Sequence, residues 1–146
     1  MNVLFDTNVI LDVLLAREPY VEAAAKLFAL VDNGPISGMI CATTLTTVFY
    51  IAAKDFGRRR ALDQVRALLD LFDVAAVDGN VLGGALNIEI ADYENAVLHE
   101  AARSAHASAI VTRDQVDFSN SQIPVLAPRE LLAAIAASTR DSSAST

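Results

Sequence analysis

Asn2-Val3-Leu4-Phe5-Asp6-Thr7-Asn8-Val9-Ile10-Leu11-Asp12-Val13-Leu14 is the stretch that decides the fold. It opens as a short apolar run, breaks at Asp6-Thr7-Asn8, and resumes with Val9, Ile10, Val13 and Leu14 at the spacing of one helical face. Strand, turn, helix is the reading, with a carboxylate where the strand stops. The same grammar repeats downstream. After Pro19, the residues Val21, Ala24, Leu27, Phe28 and Val31 predict a second helix that Asn33-Gly34-Pro35 ends. Ile36 to Cys41 reads as a second strand, Thr43 or Thr44 as the cap of a helix running to Phe56-Gly57, and Leu62, Val65, Leu69 and Phe72 as one face of an amphipathic helix.

Val74 to Val77 is expected as a third strand, Asp78 as a cap, and Val81 to Ile90 as a helix in which Gly83 and Gly84 each cost up to ~1 kcal/mol against alanine. From Asp92, the spacing of Leu98, Ala101, Ala102 and Ala105 predicts another helix, followed by a strand over Ser108 to Thr112 and a loop over Arg113 to Phe118. Ile123 to Leu126 reads as the last strand, and Pro128 opens a closing helix through Leu131, Leu132 and Ile135. Ser138 to Thr146 is polar and unpatterned, so residues 1–137 are expected to form one domain and 138–146 a disordered tail. Alternating strands and helices predict a three-layer α/β/α sandwich around a mostly parallel, twisted sheet. Ligands of such sheets bind beyond the carboxyl ends of the strands, where the strand order reverses.

Composition narrows the chemistry. The 146 residues are 53% hydrophobic, yet no run approaches the roughly 18 apolar residues of a membrane helix, and Asp6 interrupts the first one. A cytoplasmic protein with no membrane partner is expected. Cys41 is alone and the histidines are only His99 and His106, so neither an internal disulfide nor a zinc site of the Cys/His kind is available. Any metal is expected to have oxygen ligands. The net charge of −7 opposes bulk attraction to phosphates, unless dications at an acidic site reverse the local sign.

Such a site is legible at two strand ends. Phe5 leads into Asp6, and Thr112 leads through Arg113 to Asp114 and Asp117. Carboxylates brought together repel and are costly to bury, so their convergence needs cations or protons. Mg²⁺ or Mn²⁺ fits, as a hard ion that takes oxygen ligands and can activate water and orient a phosphodiester. Asp92 and Glu94, at the start of a helix, form a third acidic source. The plain alternative for Asp6, Asp92 and Asp117 is a cap or turn residue. Asp12, one turn beyond Asn8, reads as a solvated helix face. Arg58-Arg59-Arg60, with Lys54 one turn away, is the densest basic patch, read either as a phosphate contact or as a solvated helix start that partners Asp63.

These segments together resemble the PIN-domain family, especially its bacterial toxin-type branch. The resemblance spans about Met1 to Leu132 and rests on Val3 to Asp12, on Asp92-Tyr93-Glu94-Asn95-Ala96, on Ile110-Val111-Thr112-Arg113-Asp114 with Asp117-Phe118, and on Pro124 to Glu130. It implies a Mg²⁺- or Mn²⁺-dependent endoribonuclease acting on single-stranded RNA. By that resemblance Asp6, Asp92, Asp114 and Asp117 would be catalytic, with Asp6, Asp114, Asp117 and Asn95 as metal ligands. Thr7, Asn8, Thr47, Thr112 and Glu94 would support them, and Arg58, Arg59 and Arg60 would meet the nucleic acid. A small antitoxin partner and a homodimer are also implied. Two positions depart from the family pattern: Thr47 stands where a glutamate is usual and Asn95 where an aspartate is usual. An amide brings no negative charge and cannot act as a base. The alternative function is therefore a degenerate PIN domain that binds RNA or a protein without cutting. A haloacid-dehalogenase-like phosphatase would want an acid at Asn8 and a catalytic lysine, and a receiver-like domain would want a lysine after a strand; both readings fall short.

Overall fold

The computed structural model describes residues 1–144. Strands β1 (Asn2–Phe5), β2 (Ser37–Cys41), β3 (Asp73–Ala75), β4 (Ala109–Val111) and β5 (Val125–Leu126) form one sheet in the order β3-β2-β1-β4-β5, every pairing parallel. The chain builds outward from β1 to β2 and β3, then returns to place β4 on the other side of β1. The strand order therefore reverses between β1 and β4, and their carboxyl ends flank the crevice that parallel sheets offer to ligands.

Side chains alternate across these strands and divide the core into two layers. Val3, Phe5, Ile40 and Val111 face α1 (Thr7–Leu14), α2 (Val21–Asn33), α3 (Ala42–Phe56), α4 (Arg58–Leu71) and α7 (Pro128–Ala144). Leu4, Met39, Cys41, Ala75 and Ile110 face α5 (Gly79–Ala85) and α6 (Tyr93–Ser104). The result is the expected three-layer α/β/α sandwich. Phe5, Phe28 and Phe72 meet edge-to-face in the first layer, with ring centroids 5.0 to 6.0 Å apart. Gly38 makes room for this cluster, because a Cβ there would lie 2.7 Å from two carbons of the Phe72 ring. No helix among the described residues is long and apolar enough to cross a membrane.

Several boundaries differ from the sequence reading. Helix α3 starts at Ala42 straight from β2 with no side-chain cap, so neither Thr43 nor Thr44 has the capping role. Strand β3 lies one residue earlier than expected at its start and ends at Ala75, and β5 is confined to Val125–Leu126. Asp78 does cap α5, accepting from the Val81 N–H at 3.0 Å, but that helix stops at Ala85, just after the two glycines that weaken it. The expected tail is helical as far as Ala144: α7 continues beyond Ala137, and the Thr139 hydroxyl bonds back to the Ile135 carbonyl at 3.0 Å. Alanine at 133, 134, 136 and 137 sustains the helix into the polar stretch. Ser145 and Thr146 lie outside the described residues.

Candidate functional site

Asp6 is the first residue beyond β1 and also the cap of α1. Its Oδ1 accepts the Thr7 N–H at 2.8 Å, satisfying one of the orphan donors at the helix start. Its backbone N–H extends the sheet by bonding the Val111 carbonyl at 3.0 Å, which locks the β1 end beside the β4 end. The two elementary readings of this residue, cap and site acid, are thus both realised in one side chain. Oδ1 serves the helix while Oδ2 faces the β4 side.

There Thr112 and Asn8 join the two strand ends. The Thr112 hydroxyl, fully buried, donates to Asp6 Oδ2 at 2.7 Å and accepts the Asp114 N–H at 3.0 Å. The Asn8 amide nitrogen lies 3.4 Å from Asp6 Oδ2, 3.3 Å from the Thr112 hydroxyl and 3.0 Å from Asp114 Oδ2, and the Asn8 carbonyl oxygen accepts the Arg113 N–H at 3.4 Å. Asp6 and Asp114 therefore reach the same amide nitrogen, although they stand 108 positions apart in the sequence. Asp6 is only 6% exposed. Burial pushes its carboxyl above the usual range, the Thr112 and Thr7 bonds pull it back, and the negative charges of Asp114 and Glu94 raise it further.

Glu94 is the third acid that this site feels. It lies in the first turn of α6, where the helix dipole favours a carboxylate, and its Oε1 accepts from the Thr47 hydroxyl of α3 at 3.1 Å. Thr47 of α3 thereby ties a glutamate of another helix to this end of the sheet. Thr7 is tied to α3 as well, through its hydroxyl to that of Thr44 at 2.9 Å. Thr44, expected from the sequence only as a possible helix cap, instead turns its buried hydroxyl to Thr7.

The remaining candidates share no side-chain hydrogen bond with Asp6 or Asp114 among the described residues. The Asp92 carboxylate caps α6, accepting the Asn95 N–H at 2.9 Å, which is the plain role anticipated for it. Asn95 is half-buried in the first turn behind it. Asp117 is exposed on a 3-10 turn, Gln115–Phe118, and its side chain has no bond to Asp6 or Asp114 among the described residues. Its backbone N–H bonds the Asp114 carbonyl at 3.0 Å. Arg58, Arg59 and Arg60 are exposed at the start of α4, a separate helix that follows α3 after Gly57. Arg60 stacks on the Phe56 ring, and Asp63 pairs with Arg66 rather than with this run.

Asp12 corrects the sequence reading most sharply. It is fully buried, not solvated, and the Arg113 guanidinium donates to it twice, from Nε at 2.6 Å and Nη2 at 3.1 Å, with Arg17 Nη1 at 4.0 Å. The other face of the arrangement is Tyr20, whose ring centroid is 3.9 Å from the guanidinium carbon. A signal existed: Val9, Ile10 and Leu11 leave α1 little solvent-facing surface, so an acid in that short helix needs a buried cation. Arg113 adjoins Asp114, and its anchorage holds the turn that presents the second acid.

No curated protein matches the sequence. The PIN domain family model matches residues 2–116. Among solved structures, the fold is similar to that of DNA-bound VapBC from Salmonella typhimurium, with TM-score 0.69 at 19% identity over 88% of this chain and 98% of that one. It is similar to a toxin-antitoxin complex from Klebsiella pneumoniae, with TM-score 0.65 at 21% identity over 86% and 97%. It is also similar to VapC20 from Mycobacterium tuberculosis, described as a sarcin-ricin loop cleaving toxin, with TM-score 0.61 at 15% identity over 74% and 86%.

Proposed function

The chain belongs to the PIN-domain family, and from that premise we propose that it is a Mg²⁺- or Mn²⁺-dependent endoribonuclease that hydrolyses single-stranded RNA in the cytoplasm, as the toxin of a toxin-antitoxin pair. The single observation that carries this reading is the meeting of Asp6 and Asp114 on one Asn8 amide at the point where the strand order reverses.

The donor set suits a hard dication. Asp6 and Asp114 offer oxygen only, and Asp6 is under electrostatic pressure from burial and from two further acids, which a bound cation relieves. Among the described residues no three acidic, histidine or cysteine side chains approach closely enough to hold one ion jointly. Mg²⁺ is commonly held by one or two carboxylates and completes its coordination with water. When bound, such an ion supplies Lewis acidity for the phosphodiester and for the attacking water.

The protein's own residues do the positioning. Thr112 and Thr7 fix the orientation of Asp6, and the Thr112 hydroxyl also holds the backbone of Asp114. Asp114 Oδ1 has no hydrogen-bond partner among the described residues and is the oxygen left to orient a water or an ion. Glu94, held by Thr47, supplies the charge that Thr47 and Asn95 do not bring. Asp92 and Asp117 contribute to this proposal only through water or longer-range charge. Arg58, Arg59 and Arg60 offer a phosphate contact remote from the acids, of the kind that a protein with net charge −7 needs somewhere on an RNA path. The toxin-antitoxin complexes among its structural relatives support an antitoxin partner, and we propose a homodimer alongside it.

Cleavage of single-stranded RNA with Mn²⁺ present, abolished in Asp6→Asn, is the expected outcome; equal cleavage by that variant defeats the proposal. A second reading, an RNA- or protein-binding PIN domain without catalysis, is favoured by Asn95 and Thr47 at family acid positions. It predicts no cleavage with any dication.

A further inference from the structure

A cleft opens immediately beside the acidic cluster. Its walls are Pro19 and Tyr20 from the segment between α1 and α2, and Pro128 and Arg129 from the start of α7; Arg113 and Asp114 are shared with the site already described. The cavity is about 390 Å³, at the small end of pockets that take small molecules. We propose that this cleft is a nucleotide subsite, which binds the nucleotide next to the scissile phosphate by stacking its base on the Tyr20–Arg113 platform and meeting its phosphate with Arg129. The naming of RNA rests on the hydrolytic reading above; the site itself does not.

Three features point to a nucleotide. First, the platform is planar and fixed before any ligand arrives. Asp12 holds Nε and Nη2 of Arg113, the Tyr20 ring lies 3.9 Å from the guanidinium, and the Tyr20 N–H is bonded to the Arg17 carbonyl at 2.9 Å. Bases of single-stranded RNA are recognised on such aromatic and guanidinium planes, and fixing the partner in advance reduces the ordering cost of binding. Tyr20 is 43% exposed, so the platform remains open to a ligand. Second, the cleft holds cationic donors not already used. Arg113 Nη1 has no hydrogen-bond partner and Arg129 no ion-pair partner among the described residues. Glu130, the acid nearest in sequence, is occupied elsewhere: its Oε1 accepts from Gln115 Nε2 at 2.7 Å and from the Ala127 N–H at 2.9 Å. Positive donors grouped at one edge of a strongly acidic protein complement an anion. Third, Asp114 belongs to both the cleft and the cluster, so a nucleotide in the cleft lies one residue from the acids that would face a phosphodiester.

The test is a chemical-shift titration of the metal-free, full-length chain with uridine and adenosine 5′-monophosphates, with uridine, inorganic phosphate and a short acidic peptide as comparators. The nucleotides are expected to shift Tyr20, Arg113 and Arg129 resonances and to bind at least about tenfold more tightly than phosphate or nucleoside alone. Tyr20→Ala and Arg129→Ala should each weaken that binding about tenfold; Arg129 is exposed, so its truncation leaves the fold intact. In RNA cleavage the same variants should raise KM and blunt any preference for the flanking nucleotide. Nucleotide binding in the cleft without cleavage of RNA by any dication upholds the subsite and defeats the hydrolytic reading. Cleavage with Tyr20 and Arg129 unshifted by nucleotides defeats the subsite alone. Phosphate binding as tightly as the nucleotides, or the acidic peptide taking the cleft in preference to them, also overturns it.

Discussion

Replacing Arg113 by leucine should be among the most damaging single changes on this surface, although the residue is not itself one of the acids. The reason is its partner. Asp12 is fully buried and takes both of its short hydrogen bonds from Arg113, while Arg17 stands off at 4.0 Å with a largely hydrated side chain. Truncating one partner of a buried pair leaves an uncompensated charge, which costs about 3–5 kcal/mol. Arg17 can move in to offset part of that, so a loss near the lower end, about 3 kcal/mol, is expected, with the Tyr20 stack contributing a further ~1 kcal/mol. For a chain of this length that corresponds to a fall in Tm of roughly 10 °C. The reverse substitution, Asp12→Asn, should cost less, because Arg113 retains 23% side-chain exposure and can hydrate. Urea unfolding at neutral pH of Arg113→Leu, Asp12→Asn and the double variant Asp12→Leu/Arg113→Leu checks all three. The double variant should recover much of the Arg113→Leu loss, since a buried pair exchanged for apolar groups of similar volume is often neutral. A loss below about 0.5 kcal/mol for Arg113→Leu, the size expected of an ordinary surface substitution, refutes the reasoning.

Other outcomes follow from the same geometry. Gly38→Ala should destabilise by about 1–3 kcal/mol in chemical denaturation, since its methyl group would meet the Phe72 ring and Val31; an unchanged midpoint would mean the aromatic cluster yields freely. His99 is fully buried, accepts the Gln122 N–H on Nε2 at 3.2 Å, and has its pKa lowered, first by burial. The unfolded chain therefore takes up the proton first, and stability should decline as pH falls from about 6.5 towards the lower folded value. His99→Gln should flatten that part of the pH–stability curve, and an identical slope in the variant counts against the assignment. Glu94→Gln should weaken Mn²⁺ binding by about tenfold or more, while Asp117→Asn should have little effect; isothermal titration that ranks them the other way would restore the acid chosen from sequence over the one chosen from geometry.

What could be seen in advance was what local pattern encodes. The apolar run ending at Asp6, and the one ending before Arg113-Asp114, carried their meaning within a few residues, and the alternation of strands with helices fixed the parallel sheet and its reactive edge. What escaped depends on partners far away along the chain. Asp12 reads as a solvated residue in the sequence because its cation lies 101 positions away. Glu94 reads from the sequence as a supporting residue, and its charge on Asp6 and its bond to Thr47, 47 positions earlier, depend on the fold. Asp117, close to Asp114 in sequence, sits exposed on a 3-10 turn whose backbone is bonded to the Asp114 carbonyl, a placement that local pattern does not specify. At the carboxyl end, polar composition argued for disorder, whereas α7 carries its helical hydrogen bonding through to Ala144.

The central claim is that Asp6 and Asp114, gathered from the ends of β1 and β4, hold a hard dication. Isothermal titration of the intact chain with Mn²⁺ at neutral pH tests it most directly. Saturable binding to the native protein that is lost in both Asp6→Asn and Asp114→Asn is the predicted result. Absence of binding to the native protein, or undiminished binding to either variant, would contradict it.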